Sequence, residues 1–220
     1  MKASGSLRAV LFDFDGTLAD TAPDLGGALN RLRGQHALAP LPIEAVRPWA
    51  SSGARGLLRI GFDLKPGDAT YDAMKQAFLG HYDAAICVET RLFPGIAELL
   101  EQLEARNIAW GIVTNKATRF TERLVRLLGL EQRAGCVVCG DTTPYMKPHP
   151  APLLAAAARL ALAPGLCGYV GDDLRDIQAA HAAGMTSIAV EYGYGGTGHG
   201  PRSWNADAVI AQPGDLIGCL

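Results

Sequence analysis

Short apolar runs and helical patterns alternate along this chain. Leu7 to Phe12 reads as a buried strand, as does Ile108 to Val113. Cys136 to Cys139, Cys167 to Val170 and Thr186 to Val190 continue the series, and Ala208 to Ile210 adds an edge strand. Nearly continuous apolar strands separated by helices predict a parallel sheet covered on both faces. Between them the apolar positions recur with helical spacing: Ile96, Leu99, Leu100 and Leu103; Phe120, Leu124, Leu127 and Leu128; Leu153, Leu154, Ala157 and Leu160; Ile177, Ala180 and His181. Gly129 and Gly184 stand where two of these helices should stop.

One stretch breaks the alternation. From Asp20 to about Val88 no strand is convincing, and Leu25–Leu32, Ile43–Trp49, Ala54–Ile60 and Tyr71–Tyr82 all read as helical. The expected class is therefore α/β: a Rossmann-like parallel sheet core with helices on both faces, and a small helical cap inserted after the first strand. The boundaries predicted are 1–19 and 89–220 for the core and 20–88 for the cap. Such an insert sits over the carboxyl ends of the strands, where open α/β sheets bind ligands.

Composition narrows the function. Of 220 residues, 49% are hydrophobic and 19% charged, and 20 basic residues face 22 acidic ones. A folded core is expected and disorder is not. No basic stripe marks a nucleic-acid surface, and no apolar run reaches the roughly 20 residues of a membrane span. The start of the chain, Met1 to Arg8, does not read as a signal peptide. The five cysteines, Cys87, Cys136, Cys139, Cys167 and Cys219, are scattered and odd in number, which fits a reducing cytoplasm better than a disulfide framework. Cys136 and Cys139 form a C-x-x-C, read as two thiols at the end of a buried strand.

Four polar motifs each follow a different strand. In Asp13-Phe14-Asp15-Gly16-Thr17-Leu18, two carboxylates two residues apart are tolerated best with a cation between them, and Thr17 offers a hydroxyl and an N–H to a phosphate. Thr114-Asn115-Lys116 places a hydroxyl at a strand end before a helix, a phosphate donor or an ordinary N-cap. Lys147 sits in a loop stiffened by Pro148 and Pro150. Asp172, Asp173 and Asp176 cluster at a helix start; capping accounts for one or two such acids, and three hard oxygen donors suit Mg²⁺. In a parallel sheet these four strand ends gather on one edge, which assembles the equipment for phosphoryl transfer.

The four motifs in this order resemble the haloacid dehalogenase-like superfamily of phosphohydrolases, and within it the phosphoglycolate phosphatase-like group with a helical cap, over essentially the whole chain. The resemblance implies roles. Asp13 would attack phosphorus and become an aspartyl phosphate; Asp15 would protonate the leaving alcohol and then activate water. Thr114 and Asn115 would hold phosphoryl oxygens, and Lys147 would stabilise charge on Asp13 and the phosphoryl group. Asp172 would ligate Mg²⁺ with Asp13 and the backbone carbonyl of Asp15. Asp173 would complete or support that shell, with Asp176 at best behind it.

Ser52 to Gly56, Trp110 to Lys116 and Gly171 to Ile177 are also similar to phosphatases of N-acetylmuramic acid 6-phosphate. Arg55 would then bind a substrate carboxylate from the cap, or be a surface arginine. His149 stands where many relatives carry an Asp, so altered loop structure is expected there. The function expected is magnesium-dependent hydrolysis of a small carboxylate-bearing phosphate monoester, with a small phosphorylated metabolite as partner, neither nucleic acid nor membrane, either a monomer or a dimer, and a cytoplasmic location. A sugar-phosphate mutase or a non-catalytic phosphate-ligand binding protein on the same fold are the alternatives. Asp15 and Asp172 argue against a dehalogenase, which needs neither. Gly193 to Gly200 has no assigned mechanism and reads as a loop beside the site.

Overall fold

The computed structural model describes residues 7–196 and 198–220. Its elements in order are β1 (Ala9–Phe12), β2 (Ala19–Asp20), α1 (Ala22–Gln35), α2 (Ile43–Ala50), α3 (Gly53–Phe62), α4 (Tyr71–Ala84), β3 (Arg91–Leu92), α5 (Ile96–Ala105), β4 (Ala109–Val113), α6 (Thr118–Leu127), β5 (Val137–Val138), α7 (Ala151–Arg159), β6 (Cys167–Gly171), α8 (Leu174–Ala183), β7 (Thr186–Val190) and β8 (Ala208–Ile210). Short 3₁₀ turns follow at Pro201–Ser203 and Pro213–Cys219.

Six strands form one parallel sheet in the order β5-β4-β1-β6-β7-β8. Strand β1 is central, and its side chains divide between the two faces as the pleat requires. Val10 and Phe12 join one core cluster with Ile96, Leu100, Phe120 and Leu124 from α5 and α6. Ala9 and Leu11 join another with Leu153 and Ala157 of α7 and Ala179 and Ala180 of α8. Both faces are thus covered by helices, as the unbroken apolar strands predict.

Most of the helical stripes are buried where expected; three of their residues are not. On α6 the buried arc is Phe120, Thr121, Leu124 and Val125, which leaves Leu127 at its edge in the last turn, largely exposed. Leu154 on α7 is likewise exposed. His181 sits on the outer side of α8, where its Nε2 meets the Ser187 hydroxyl at 2.9 Å.

The stretch without strand signals contains the four helices α1 to α4. Its two ends are joined by an antiparallel ribbon, with Ala19 opposite Leu92 and Asp20 opposite Arg91. Strands this short carry no periodicity to read. Asp24, in the first turn of α1, fastens the same junction: its Oδ2 accepts from Thr90 N at 2.9 Å and Thr90 Oγ1 at 2.6 Å, and its Oδ1 from Glu89 N at 3.1 Å. The four helices share one continuous core with β1, in which Leu25, Leu29, Val46, Leu57, Phe78 and Tyr82 are buried.

Candidate active site

Strands β1, β4 and β6 end side by side, so the residues after them converge. Asp13 follows β1 directly, and its N–H still donates to Val170 O of β6 at 2.9 Å. Thr114 follows β4 and donates in the same way to Val138 O at 2.9 Å. Gly16, at φ +82, turns the chain back beneath the site; a Cβ there would lie 2.2 Å from Asp172 Oδ2. Only glycine satisfies both the backbone and the close approach.

Lys147 reaches into the middle of this group. Its Nζ lies 2.8 Å from Asp13 Oδ1 and 2.8 Å from Asp176 Oδ1, and its side chain is 2% exposed. It also donates to Tyr169 Oη at 2.7 Å and Val113 O at 3.1 Å. Burial alone would lower its pKa; Asp13 and Asp176 more than offset this and hold the ammonium charged. The lysine is aimed by Asn115, whose side chain closes a two-way bond with its backbone: Nδ2 donates to Lys147 O at 3.0 Å, and Lys147 N donates to Oδ1 at 2.9 Å. Asn115 was expected to hold a phosphoryl oxygen; its side-chain amide places Lys147, and the residue lines the cavity beside Thr114.

Asp172 is fully buried. It accepts from Thr17 Oγ1 at 3.1 Å, Ser51 Oγ at 3.0 Å and Tyr194 N at 3.0 Å. Burial, and then the nearby Asp13 and Asp176 charges, push its pKa well up. Burial likewise raises Asp176 to about 7 despite the Lys147 ammonium. Oxygens of Asp13, Asp172 and Asp176 all lie within 4.8 Å of one another. One ammonium among three carboxylates leaves negative charge in excess, and hard oxygen donors of this kind fit a divalent cation.

The third carboxylate is therefore Asp176, where Asp173 was expected. Asp173 caps α8, its Oδ1 accepting from Arg175 N at 2.9 Å, and forms a two-point pair with the Arg175 guanidinium, Nε to Oδ1 and Nη2 to Oδ2, both 2.8 Å. Asp176 Oδ2 in turn accepts from Asp173 N at 3.0 Å. The cluster thus serves both as helix cap and as carboxylate site, divided by residue.

Asp15 stands on the other side of Asp13's loop. Its Oδ1 takes the Thr21 hydroxyl and Lys116 Nζ, the latter at 2.8 Å. Lys116 lies over the Tyr82 ring of α4, 4.9 Å from its centroid. Its pKa is set by burial, which lowers it, against the Asp15 charge, which raises it; the charge wins, and the ammonium persists. Lys116, Tyr169 and Ser51 escaped the sequence reading. Lys116 adjoins a motif already in view, and Tyr169 faces the site three residues before Asp172; no local signal marks Ser51.

These groups open into a cavity of about 640 Å³ between the strand ends and α3, α4 and α6. Asp13, Asp15, Thr114, Lys147 and Arg55 line it, while Thr17 and Asp172 lie buried beneath. Arg55 is exposed on α3 and has no carboxylate partner among the described residues. His149 stacks on Tyr145 with ring centroids 4.2 Å apart, and its Nδ1 accepts from Ala151 N at the start of α7 at 3.1 Å. It is a loop-shaping residue. The glycine-rich segment begins packed on the site: a Cβ at Gly193 would stand 2.3 Å from that of Asp172. Tyr194 Oη accepts from Thr21 N and Ala22 N at 2.7 and 2.9 Å. Thr197 lies outside the described residues.

The profile of the haloacid dehalogenase-like hydrolases matches residues 10–190. The chain belongs to this family. An N-acetylmuramic acid 6-phosphate phosphatase of Pseudomonas aeruginosa is 40% identical over 214 residues, covering 97% of this chain and 95% of that protein. A phosphoglycolate phosphatase of Xanthomonas campestris pv. campestris is 42% identical over 209 residues, covering 95% and 94%. The crystal structure of a predicted phosphoglycolate phosphatase from Haemophilus somnus superposes with a TM-score of 0.87 at 27% identity, covering 99% of each chain. This haloacid dehalogenase-like hydrolase is a phosphoric monoester hydrolase. No helix among its described residues is long and apolar enough to cross a membrane.

Proposed function

We propose that the enzyme hydrolyses a small carboxylate-bearing phosphate monoester, of the phosphoglycolate or N-acetylmuramic acid 6-phosphate type, through an aspartyl phosphate on Asp13. The observation that carries this is the placement of Asp13 at the cavity floor, ion-paired to buried Lys147 and grouped with Asp172 and Asp176. Mg²⁺ held by Asp13, Asp172, Asp176 and the backbone carbonyl of Asp15 would supply charge neutralisation for the entering phosphate.

The steps follow from where the side chains stand. A carboxylate oxygen of Asp13 attacks phosphorus; the bond from phosphorus to the leaving oxygen breaks, and Asp15 gives that oxygen a proton. Asp15 then takes a proton from water, whose oxygen attacks phosphorus and frees Asp13. Lys147 holds charge at Asp13 throughout, and Thr114 offers its hydroxyl to a phosphoryl oxygen. Lys116 fixes the Asp15 carboxylate through its ion pair.

Residues 20–88 act as a cap over the core formed by 1–19 and 89–220, and Arg55 reaches from it toward the substrate carboxylate. The thiols are all free, in keeping with the reducing cytoplasm in which we place the enzyme.

The test is phosphate release from phosphoglycolate and a panel of sugar phosphates, with Mg²⁺ and with chelator, for wild type and Asp13→Asn. Magnesium-dependent release lost in Asp13→Asn is the expected result. Transfer of phosphate between sugar positions without net release would replace this reading by the mutase one.

A further inference from the structure

The cations around the cavity fall into two groups. Lys116, Lys147 and Arg175 are ion-paired to Asp15, Asp13 and Asp173, each at 2.8 Å. Arg55, Lys75 and Arg119 also line the cavity, yet none of them forms an ion pair with a carboxylate among the described residues. Arg119 only lays its guanidinium over the Phe120 ring, 4.3 Å from the centroid.

The helices that carry them make the contrast sharper. On α3, Arg59 pairs with Asp63 at 2.9 Å, while Arg55, one turn earlier and facing the cavity, does not pair. On α6, Arg123 pairs with Asp83 and Arg126 with Glu131, while Arg119, at the cavity, does not. Surface arginines of the same helices thus find carboxylates, and the cavity-facing ones lack them. These three line one cavity from α3 and α4 of the helical insert and from α6 of the sheet core.

We infer that Lys75 and Arg119 complete, with Arg55, a subsite for a second anionic group of the substrate, a carboxylate, and that this subsite sets specificity. The inference rests on the phosphatase reading for its substrate and on the unpaired cations for its site. A carboxylate there would bridge the helical insert, through Arg55 and Lys75, to Arg119 on the sheet core. Opposite charge at both ends of the cavity would then select acids that carry phosphate at one end and carboxylate at the other.

The experiment compares pairs with and without the acid: phosphoglycolate against ethyl phosphate, which replaces only the carboxylate by a methyl, and N-acetylmuramic acid 6-phosphate against N-acetylglucosamine 6-phosphate, which lacks the whole lactyl ether. The expected kcat/KM favours the acid of at least one pair by about 10- to 100-fold, the range of charge-assisted hydrogen bonds. Lys75→Gln and Arg119→Gln should each shrink that ratio, chiefly through KM, and the two together should bring it near unity. Arg126→Gln, outside the cavity on the same helix as Arg119, should leave the ratio as in wild type. Equal rates on both members of each pair in wild type would overturn the inference, as would ratios untouched by the variants or a stronger preference for a sugar bisphosphate. The same pairs compared by Kd on Asp13→Asn separate the two claims. A charge preference in binding with no phosphate release from wild type would overturn the phosphatase reading and leave the subsite standing; no preference in binding would remove the subsite.

Discussion

The two ends of the cavity are built on different principles. At the floor, the charged groups are buried or nearly so and are held by partners: Lys147 by Asp13 and Asp176, Lys116 by Asp15, and Asp172 by hydroxyl and N–H donors. At the outer end, Arg55, Lys75 and Arg119 have no carboxylate partner among the described residues. The floor is preorganised, because charges in a low-dielectric site are tolerated only when paired or hydrogen-bonded. The outer end is left unpaired, so a ligand can supply the missing charge. The comparison teaches that chemistry and selection are held by separate parts of the molecule, the first by strand ends and the second by helix faces.

That division gives a ranked set of expectations. The largest effect should come from the floor itself. Asp13→Asn should lower kcat by about 10⁴-fold or more, as removal of a nucleophile does, and steady-state phosphate release measures it. Any substantial residual rate would mean that the chemistry does not run through β1's end.

Lys147→Met should come next. It should reduce kcat by about 10²- to 10³-fold, the scale of a lost electrostatic stabiliser. It should also destabilise the fold by roughly 3–5 kcal/mol, because two buried carboxylates lose their counter-charge. Urea denaturation with and without Mg²⁺ reads the second part, and the deficit should narrow when the metal is present. A variant as stable as wild type would contradict the account of Lys147 as the counter-charge of the floor.

Lys116→Met should be milder, because Lys116 places Asp15 and does not touch the phosphate. A fall in kcat of about 10-fold with KM little changed is expected, a fraction of what acid–base catalysis contributes. Lys116→Arg should restore part of it. A loss confined to KM would move Lys116 to the outer subsite and blur the comparison.

The smallest effect concerns neither end. Burial pushes the Cys136 thiol up to about 11 and raises the other thiols as well. A folded-state pKa above the unfolded one gives stability that is complete below the unfolded value and is lost as pH rises through the folded one. Stability should therefore decline between about pH 9 and 11, by an amount on the order of 1–3 kcal/mol. Thermal unfolding across that range tests it, and Cys136→Ser should flatten the curve. Alkylation of the native protein at neutral pH should spare Cys136.

The same division explains what could be read in the sequence. All six sheet strands were visible, because strands buried on both faces are apolar throughout, as in Val10 to Phe12. The floor was largely visible too: Asp13, Thr114 and Asp172 each follow a strand directly, so topology alone brings them together. The finer assignments were hidden. Asp173 and Asp176 differ only in which way they point from the first turn of α8, and that is decided by Arg175 and Lys147. That the Asn115 side chain also places Lys147 is a matter of contacts no local pattern marks. The outer end was almost illegible. Lys75 and Arg119 are ordinary surface cations in sequence, and only the packing of α3, α4 and α6 around one cavity brings them beside Arg55. The β2–β3 ribbon, with two residues on each side, has no pattern to detect.

The central claim is that Asp13 carries the phosphoryl group. Its most direct test uses Asp15→Asn with p-nitrophenyl phosphate and Mg²⁺, since that leaving group needs no proton from Asp15 while the attacking water does. The account predicts a burst of nitrophenol equal to the enzyme present, followed by slow turnover, and a phosphate adduct on Asp13 in the acid-quenched protein by mass spectrometry. Burst-free release, with Asp13 unmodified or the adduct on another residue, would contradict it.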